Sequence, residues 1–161
     1  MTPTDGLIKA CKDQAENCAY SATTFMIYLR WLRFWDVVGS VVTVVLGAIA
    51  TWKIVAQSSP VIAATCAFLT TVIPLTMRAM RIAESVREYS LAAGKYTNLR
   101  DQFAMAADIE SQKPFQDFET ATKPYFERLE RLREQPLTPP EWAFTKARAK
   151  HKAGHYDHDG I

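Results

Sequence analysis

Charge is almost missing from the middle of this chain. Between Val37 and Met77 the sole charged residue is Lys53, and from Ile54 to Met77 there is none. A helix in a small water-soluble bundle needs a polar face, because one of its sides meets water. Neither VVGSVVTVVLGAIATW nor PVIAATCAFLTTVIPLTM carries one. The absence argues against a soluble helical bundle and for a hairpin of two membrane spans, residues 37–54 and 60–77.

Other absences narrow the function. The three cysteines, Cys11, Cys18 and Cys66, are too few for a disulfide framework and fit a reducing compartment. Cys11 and Cys18 share one helix face, but their rise of roughly 10 Å is too great for a bond between them. Both read as small buried hydrophobes. No nucleophile–base arrangement, glycine-rich phosphate loop or paired-cysteine metal motif occurs. An enzyme is therefore not expected, nor a cofactor or a resident metal. The net charge of +2 is too small to indicate nucleic acid. The opening MTPTDGLIKACKDQ lacks a basic stretch followed by an apolar one, so no cleavable signal peptide is expected.

What is present reads as helix throughout, an all-α chain with one domain over residues 1–161. Thr4 or Asp5 can cap a first amphipathic helix over residues 1–36. Its small and apolar positions, Cys11, Ala15, Cys18, Ala22, Phe25, Leu29 and Leu32, alternate steps of four and three. That is a seam for another helix, and its first half demands close approach. Trp31, Arg33 and Trp35 then form a border suited to lipid headgroups, with Trp52 and Lys53 at the far end. From Trp35 to Trp52 is about 25 Å of helix, short but workable for a bilayer.

Inside the first span Gly39, Thr43, Gly47 and Thr51 recur every four residues, and Ala63, Ala67 and Thr71 do so in the second. Such stripes let helix backbones approach in lipid, facing each other or a neighbouring subunit, although abundant small residues in an apolar helix would look the same. The turn falls at Gln57, Ser58, Ser59 and Pro60. Pro74 should kink the second span, as a gating feature or simply as a tolerated proline.

Arg78 begins a long amphipathic helix, continuous with the second span, over residues 78–112. Its seam is Ile82, Val86, Tyr89, Ala93, Tyr96, Leu99 and Phe103, and it is long enough to pair antiparallel with the N-terminal helix. Residues 113–161 form a C-terminal helical segment and tail. There KPFQDFETATKP reads as a loop anchored by Phe115 and Phe118. Pro124 opens a short helix with Tyr125, Leu129 and Leu132 inward. Thr138-Pro-Pro-Glu141 reads as a capping box for the last helix, which is basic at Lys146, Arg148, Lys150 and Lys152. That basic face fits plain solvation, anionic lipid or nucleic acid. His151, His155 and His158 beside Asp157 and Asp159 form either a metal-binding tail or an ordinary polar one.

Lys12, Arg30 and Arg33 precede the spans and Arg78, Arg81 and Arg87 follow them, against Lys53 alone at the turn. Basic residues are retained on the cytoplasmic side, which places both termini in the cytoplasm and the protein in the cell (inner) membrane.

The segments AYSATTFMIYLRWLRFWDVVGSVV, REYSLAAGKYTNLRDQF and RLERLREQPLTPPEWAFTKAR, in this architecture, resemble the SLATT family. These are two-transmembrane effectors that accompany nucleotide-second-messenger synthetases and SLOG sensors in prokaryotic conflict systems. The resemblance implies a homo-oligomeric antiviral effector that forms a pore or perturbs the membrane when a sensor fires. This sequence carries no fused sensor, so a separate sensor or nucleotide-signalling protein would be a partner, together with membrane lipid. Ser40, Thr43, Thr51, Thr65, Thr70 and Thr76 are the candidate hydrophilic lining, a pattern that helix packing explains equally well. The alternative is a non-pore membrane scaffold recruiting a partner through its cytoplasmic helices.

Overall fold

The N-terminus shows how this chain starts a helix. The Thr2 amide donates to Asp5 Oδ2 at 2.8 Å while the Asp5 amide donates to Thr2 Oγ1 at 3.2 Å, a reciprocal cap with Pro3 between them. The cap is thus Thr2, ahead of the expected Thr4 or Asp5. Hydrogen bonding by Thr2, chiefly through its amide, holds the Asp5 carboxyl below its ordinary value.

The computed structural model describes residues 2–55, 59–135 and 137–152. Among the described residues the chain is all-α, with no strand. The helices are α1 (Pro3–Val55), α2 (Pro60–Ala79), α3 (Ile82–Asp108), α4 (Phe115–Arg133) and α5 (Glu141–Lys152), with a 3-10 turn at Glu110–Gln112. The expected turn residues Gln57 and Ser58 lie outside the described residues, as do Pro136, His155, Asp157, His158 and Asp159. The chain divides into two compact units, one up to Tyr28 and from Tyr89 onward, the other Leu29–Glu88.

The first unit is a helical core built on the two seams. Cys11, Cys18, Ala22 and Phe25 of α1 are buried with Ala92, Ala93, Tyr96, Leu99 and Phe103 of α3, and with Phe118, Leu129 and Leu132 of α4. The small residues of α1 leave room for aromatic rings lower in the core. Phe25 stacks on Tyr96 at 5.5 Å, and Phe103 meets Phe126 edge-on at 5.0 Å. Two threonines are wholly inside this unit, and each satisfies itself. Thr24 donates to the Tyr20 carbonyl at 2.9 Å and Thr122 to that of Phe118 at 3.0 Å. On the last helix, Tyr20 donates to the Phe144 carbonyl at 3.0 Å and Trp142 lies edge-on to Tyr28 at 6.0 Å.

Three boundaries differ from expectation. The run from the second span is not continuous. Past Pro74, α2 ends at Ala79, and Arg81 adopts a left-handed conformation with φ 52° before α3 begins. A residue in that conformation terminates a helix, a role usually taken by glycine. Residues 115–123 are helix rather than loop, and Pro124 sits inside α4 instead of opening it. Burial of Phe118 and Thr122 on one face, one turn apart, outweighs the single backbone bond the proline removes. At the last helix, Pro139 and Pro140 stay outside, and the Pro140 carbonyl accepts the Ala143 amide at 2.9 Å.

The two residues expected to anchor residues 113–124 are not equivalent, since Phe118 is 0% exposed and Phe115 39%. Phe118→Ala should cost about 3–5 kcal/mol in denaturant unfolding. Phe115→Ala should cost no more than about 1 kcal/mol.

Both cysteines of this core are free thiols. Burial pushes the Cys18 thiol from an ordinary 9.0 up to about 11, and it raises Cys11 and Tyr96 as well. An acid whose pKa is higher folded than unfolded retains its proton longer in the native state. Stability contributed this way is complete below pH 9 and falls as the pH rises from 9 towards 11. Denaturant midpoints should therefore decline across that window, and Cys18→Ala should flatten the decline.

Candidate functional site

The second unit is built by pairing α1 with α2. On α1, Leu32, Asp36, Gly39, Thr43, Leu46 and Ala50 are buried or half-buried. On α2, Ala63, Cys66, Thr70, Ile73 and Met77 are so. Both lines alternate steps of three and four, which average the 3.6 residues of a helical turn and so stay on one face.

This register decides the fate of the candidate packing stripe. Gly39, Thr43 and Gly47 are half-buried and Ala63 is buried, whereas Thr51, Ala67 and Thr71 are exposed. A step of four overshoots a turn by about 40°, so a strict four-residue repeat rotates away from the partner helix. Ala50 takes the place assigned to Thr51, and Cys66 and Thr70 those assigned to Ala67 and Thr71. The three–four alternation through Cys66 was available in the sequence. What it could not show was the partner of Gly39. A Cβ placed on Gly39 would collide with Met77 Sδ, while one on Gly47 would rest 3.8 Å from Thr70 Cγ2. Gly39 thus marks a close approach filled by a flexible thioether.

Each candidate lining hydroxyl donates to a carbonyl of its own helix. Ser40 bonds Asp36, Thr43 bonds Gly39, Thr51 bonds Gly47, Thr65 bonds Val61, Thr70 bonds Ala67 and Thr76 bonds Val72, all between 2.7 and 2.9 Å. Thr71 does likewise to Ala67 at 3.2 Å. Such bonds let a hydroxyl sit in apolar surroundings, with its oxygen still able to accept. The set does not share one wall. Ser40 and Thr51 are exposed along the edge of α1 that passes Gly47, Thr43 and Thr70 are half-buried in the pair, and Thr65 and Thr76 lie on the exposed face of α2 with Val61 and Phe68.

The candidate interface anchors fall near the ends of the pair. Trp31, Arg33, Trp35, Trp52 and Arg78 are all exposed. Trp31 and Phe34 each stand edge-on to Trp35, at 6.1 and 5.9 Å. The side chain of Lys53 lies outside the described residues. At the tryptophan-rich end, Asp36, Met77, Arg78, Arg81 and Glu84 line a cavity of about 460 Å³, where Arg81 forks onto Glu84 with Nη2 at 2.6 Å from Oε1. Charge therefore returns at one level on both helices.

Two helical stretches are long and apolar enough to cross a membrane, and their most apolar 18-residue windows are 6% and 11% buried. Among the described residues no group of three or more His, Cys, Asp or Glu side chains could hold a metal ion. His151, the one described member of the histidine tail, instead lies 2.7 Å from Glu16 Oε1. No protein-family model matches the chain, and no curated protein or solved structure matches it.

Gly39→Ala should be tolerated, because the Met77 thioether can swing aside. Gly39→Leu should weaken the helix pair by about 1–3 kcal/mol. Met77→Ala should recover part of that loss in a double-mutant cycle read by detergent unfolding. Ala67→Leu, on the exposed side, should leave the pair within about 0.5 kcal/mol of the parent.

Proposed function

We propose that the chain is a two-span protein of the cell membrane that assembles with copies of itself into an effector, forming a pore or perturbing the bilayer. The observation that carries the reading is the exposure of its most apolar surface. Val44, Trp52, Ile54, Val61 and Phe68 are each at least 65% exposed. In water such a surface would drive aggregation, whereas hydrocarbon is its natural solvent. The basic residues flanking the pair support cytoplasmic termini. The resemblance to the SLATT effectors supports an antiviral role, with a separate sensor or nucleotide-signalling protein as trigger.

One pair of helices has no interior to hold water, so a pore requires several copies. The edge of α1 that carries the exposed Ser40 and Thr51 is the best hydrophilic wall on offer. Thr65 and Thr76 share a face with Phe68 and suit lipid better. The hydroxyls' bonds to their own backbone favour the second reading, a membrane scaffold that recruits a partner through the helices outside the bilayer and leaves the membrane sealed.

Expression in a bacterial host, followed through a potential-sensitive dye and the mass of the detergent-extracted assembly, separates these readings. The effector reading expects carbonate-resistant membrane association, four or more copies, and depolarisation. That depolarisation should weaken in Ser40→Val/Thr51→Val but persist in Thr65→Val/Thr76→Val. A strict monomer would refute the pore, and release by carbonate would refute the membrane reading altogether. A membrane-bound oligomer that leaves the potential intact would be the scaffold.

A further inference from the structure

Within the unit formed by residues up to Tyr28 and from Tyr89 onward, α3 and α4 diverge to leave a groove of about 560 Å³. That size lies in the range of small-molecule sites. Its floor is apolar, from Leu91, Leu99 and Leu132, and its sides carry Lys95, Arg128 and Arg131 with no carboxylate among the lining residues. Among the described residues none of these three cations forms an ion pair. Arg131 spends one donor, Nε, on the Glu127 carbonyl at 3.3 Å, and the nearby Asp101 is taken by Arg100 at 2.6 Å. Three cations on one groove repel one another, an arrangement that an anion relieves.

Gly94 lines the groove in the middle of α3, with an ordinary helical backbone, and a Cβ added there would meet nothing within 4 Å. Glycine inside a helix is destabilising by roughly 1 kcal/mol against alanine. Neither backbone strain nor packing requires it at this position. The groove therefore has room beside Lys95 and Asn98 that a methyl group would not fill.

We infer that this groove binds a small organic anion. A phosphate or carboxylate group meets Arg128, Arg131 and Lys95, and an apolar or planar part rests on the three leucines. The guanidiniums supply directional pairs of donors to such an oxyanion, and Lys95 adds a point charge. The site lies wholly within the unit outside the apolar helix pair, so the inference stands independently of the membrane reading.

The test is calorimetric titration of the purified full chain with phenyl phosphate, which combines an oxyanion with a flat apolar ring, beside inorganic phosphate and benzyl alcohol, which each carry one half. Saturable one-to-one binding of phenyl phosphate is expected, about tenfold or more tighter than either half, and weakening as salt rises. Arg128→Gln/Arg131→Gln should weaken it about tenfold or more, and Gly94→Phe should abolish it by filling the groove. Gly94→Ala should bind within about twofold of the parent while raising the melting temperature. These positions are exposed, so helical content and melting of each variant report whether it has folded. Absence of saturable binding by the parent chain would overturn the inference. So would binding that survives both the double arginine variant and Gly94→Phe in folded protein.

Discussion

One packing register governs α1 from end to end. Cys11, Ala15, Cys18, Ala22, Phe25, Leu29, Leu32, Asp36, Gly39, Thr43, Leu46 and Ala50 follow one another by alternating steps of four and three, and every one is buried or half-buried. A straight helix lets such a line drift by about 20° per seven residues, so it stays near one face within each unit but rotates by roughly 110° from Cys11 to Ala50. The rest of the chain answers to that line. In one unit the partners are α3 and α4, with alanines, rings and leucines. In the other the partner is α2, with Ala63, Cys66, Thr70, Ile73 and Met77.

The side chains along the line change with the physics that holds each part. Where α3 and α4 are the partners, burial of Phe25, Tyr96, Phe103 and Phe118 removes large apolar areas from water, and that transfer supplies the drive. Among Gly39, Thr43 and Ala50 there is little area to bury. What these residues offer is close approach, and at Gly39 the space is taken by the Met77 thioether. The self-bonded threonines belong to the same logic. A hydroxyl that has its own carbonyl to donate to makes no demand on the neighbouring helix, so it can lie in the pair, as Thr43 does, or outside it, as Thr65 does.

Legibility in the sequence followed contrast. The seam from Cys11 to Leu32 stood out because charged residues such as Lys12, Asp13 and Glu16 fill the opposite face, and the structure buries the positions it named. Past Val37 that contrast disappears. With every position apolar or small, a repeat of four is as visible as the alternation that pairs α1 with α2, and Thr51, Ala67 and Thr71 of the four-residue stripe fall on the exposed side of that pair. Proline misled for a related reason. Pro124 reads as a boundary in isolation, yet Phe118 and Thr122 bury the turn before it and the helix runs through. The Gly39–Met77 approach and the cationic groove around Gly94 join residues from different helices, so no local pattern announces them.

The junction at Arg81 shows how much a short break can decide. A continuous helix from Pro60 to Asp108 would carry the register of α2 into α3 unchanged. The inward positions of α2 end at Ile73 and Met77, and continuing their alternation gives Met80, Glu84, Arg87 and Leu91, all of which are exposed. The seam that α3 uses runs instead through Val86, Tyr89, Ala93 and Tyr96. The two phases differ by two residues, more than half a turn, which neither a gentle bend nor the missing hydrogen bond at Pro74 can absorb. A left-handed residue resets the chain between two helices, and Arg81 serves as that residue although its side chain makes the conformation unfavourable by roughly 1–2 kcal/mol relative to a right-handed one. Its guanidinium gains the fork onto Glu84 in the first turn of α3, an exposed pair that offsets part of this cost at most. The break thus separates the inward positions of α2 from those of α3.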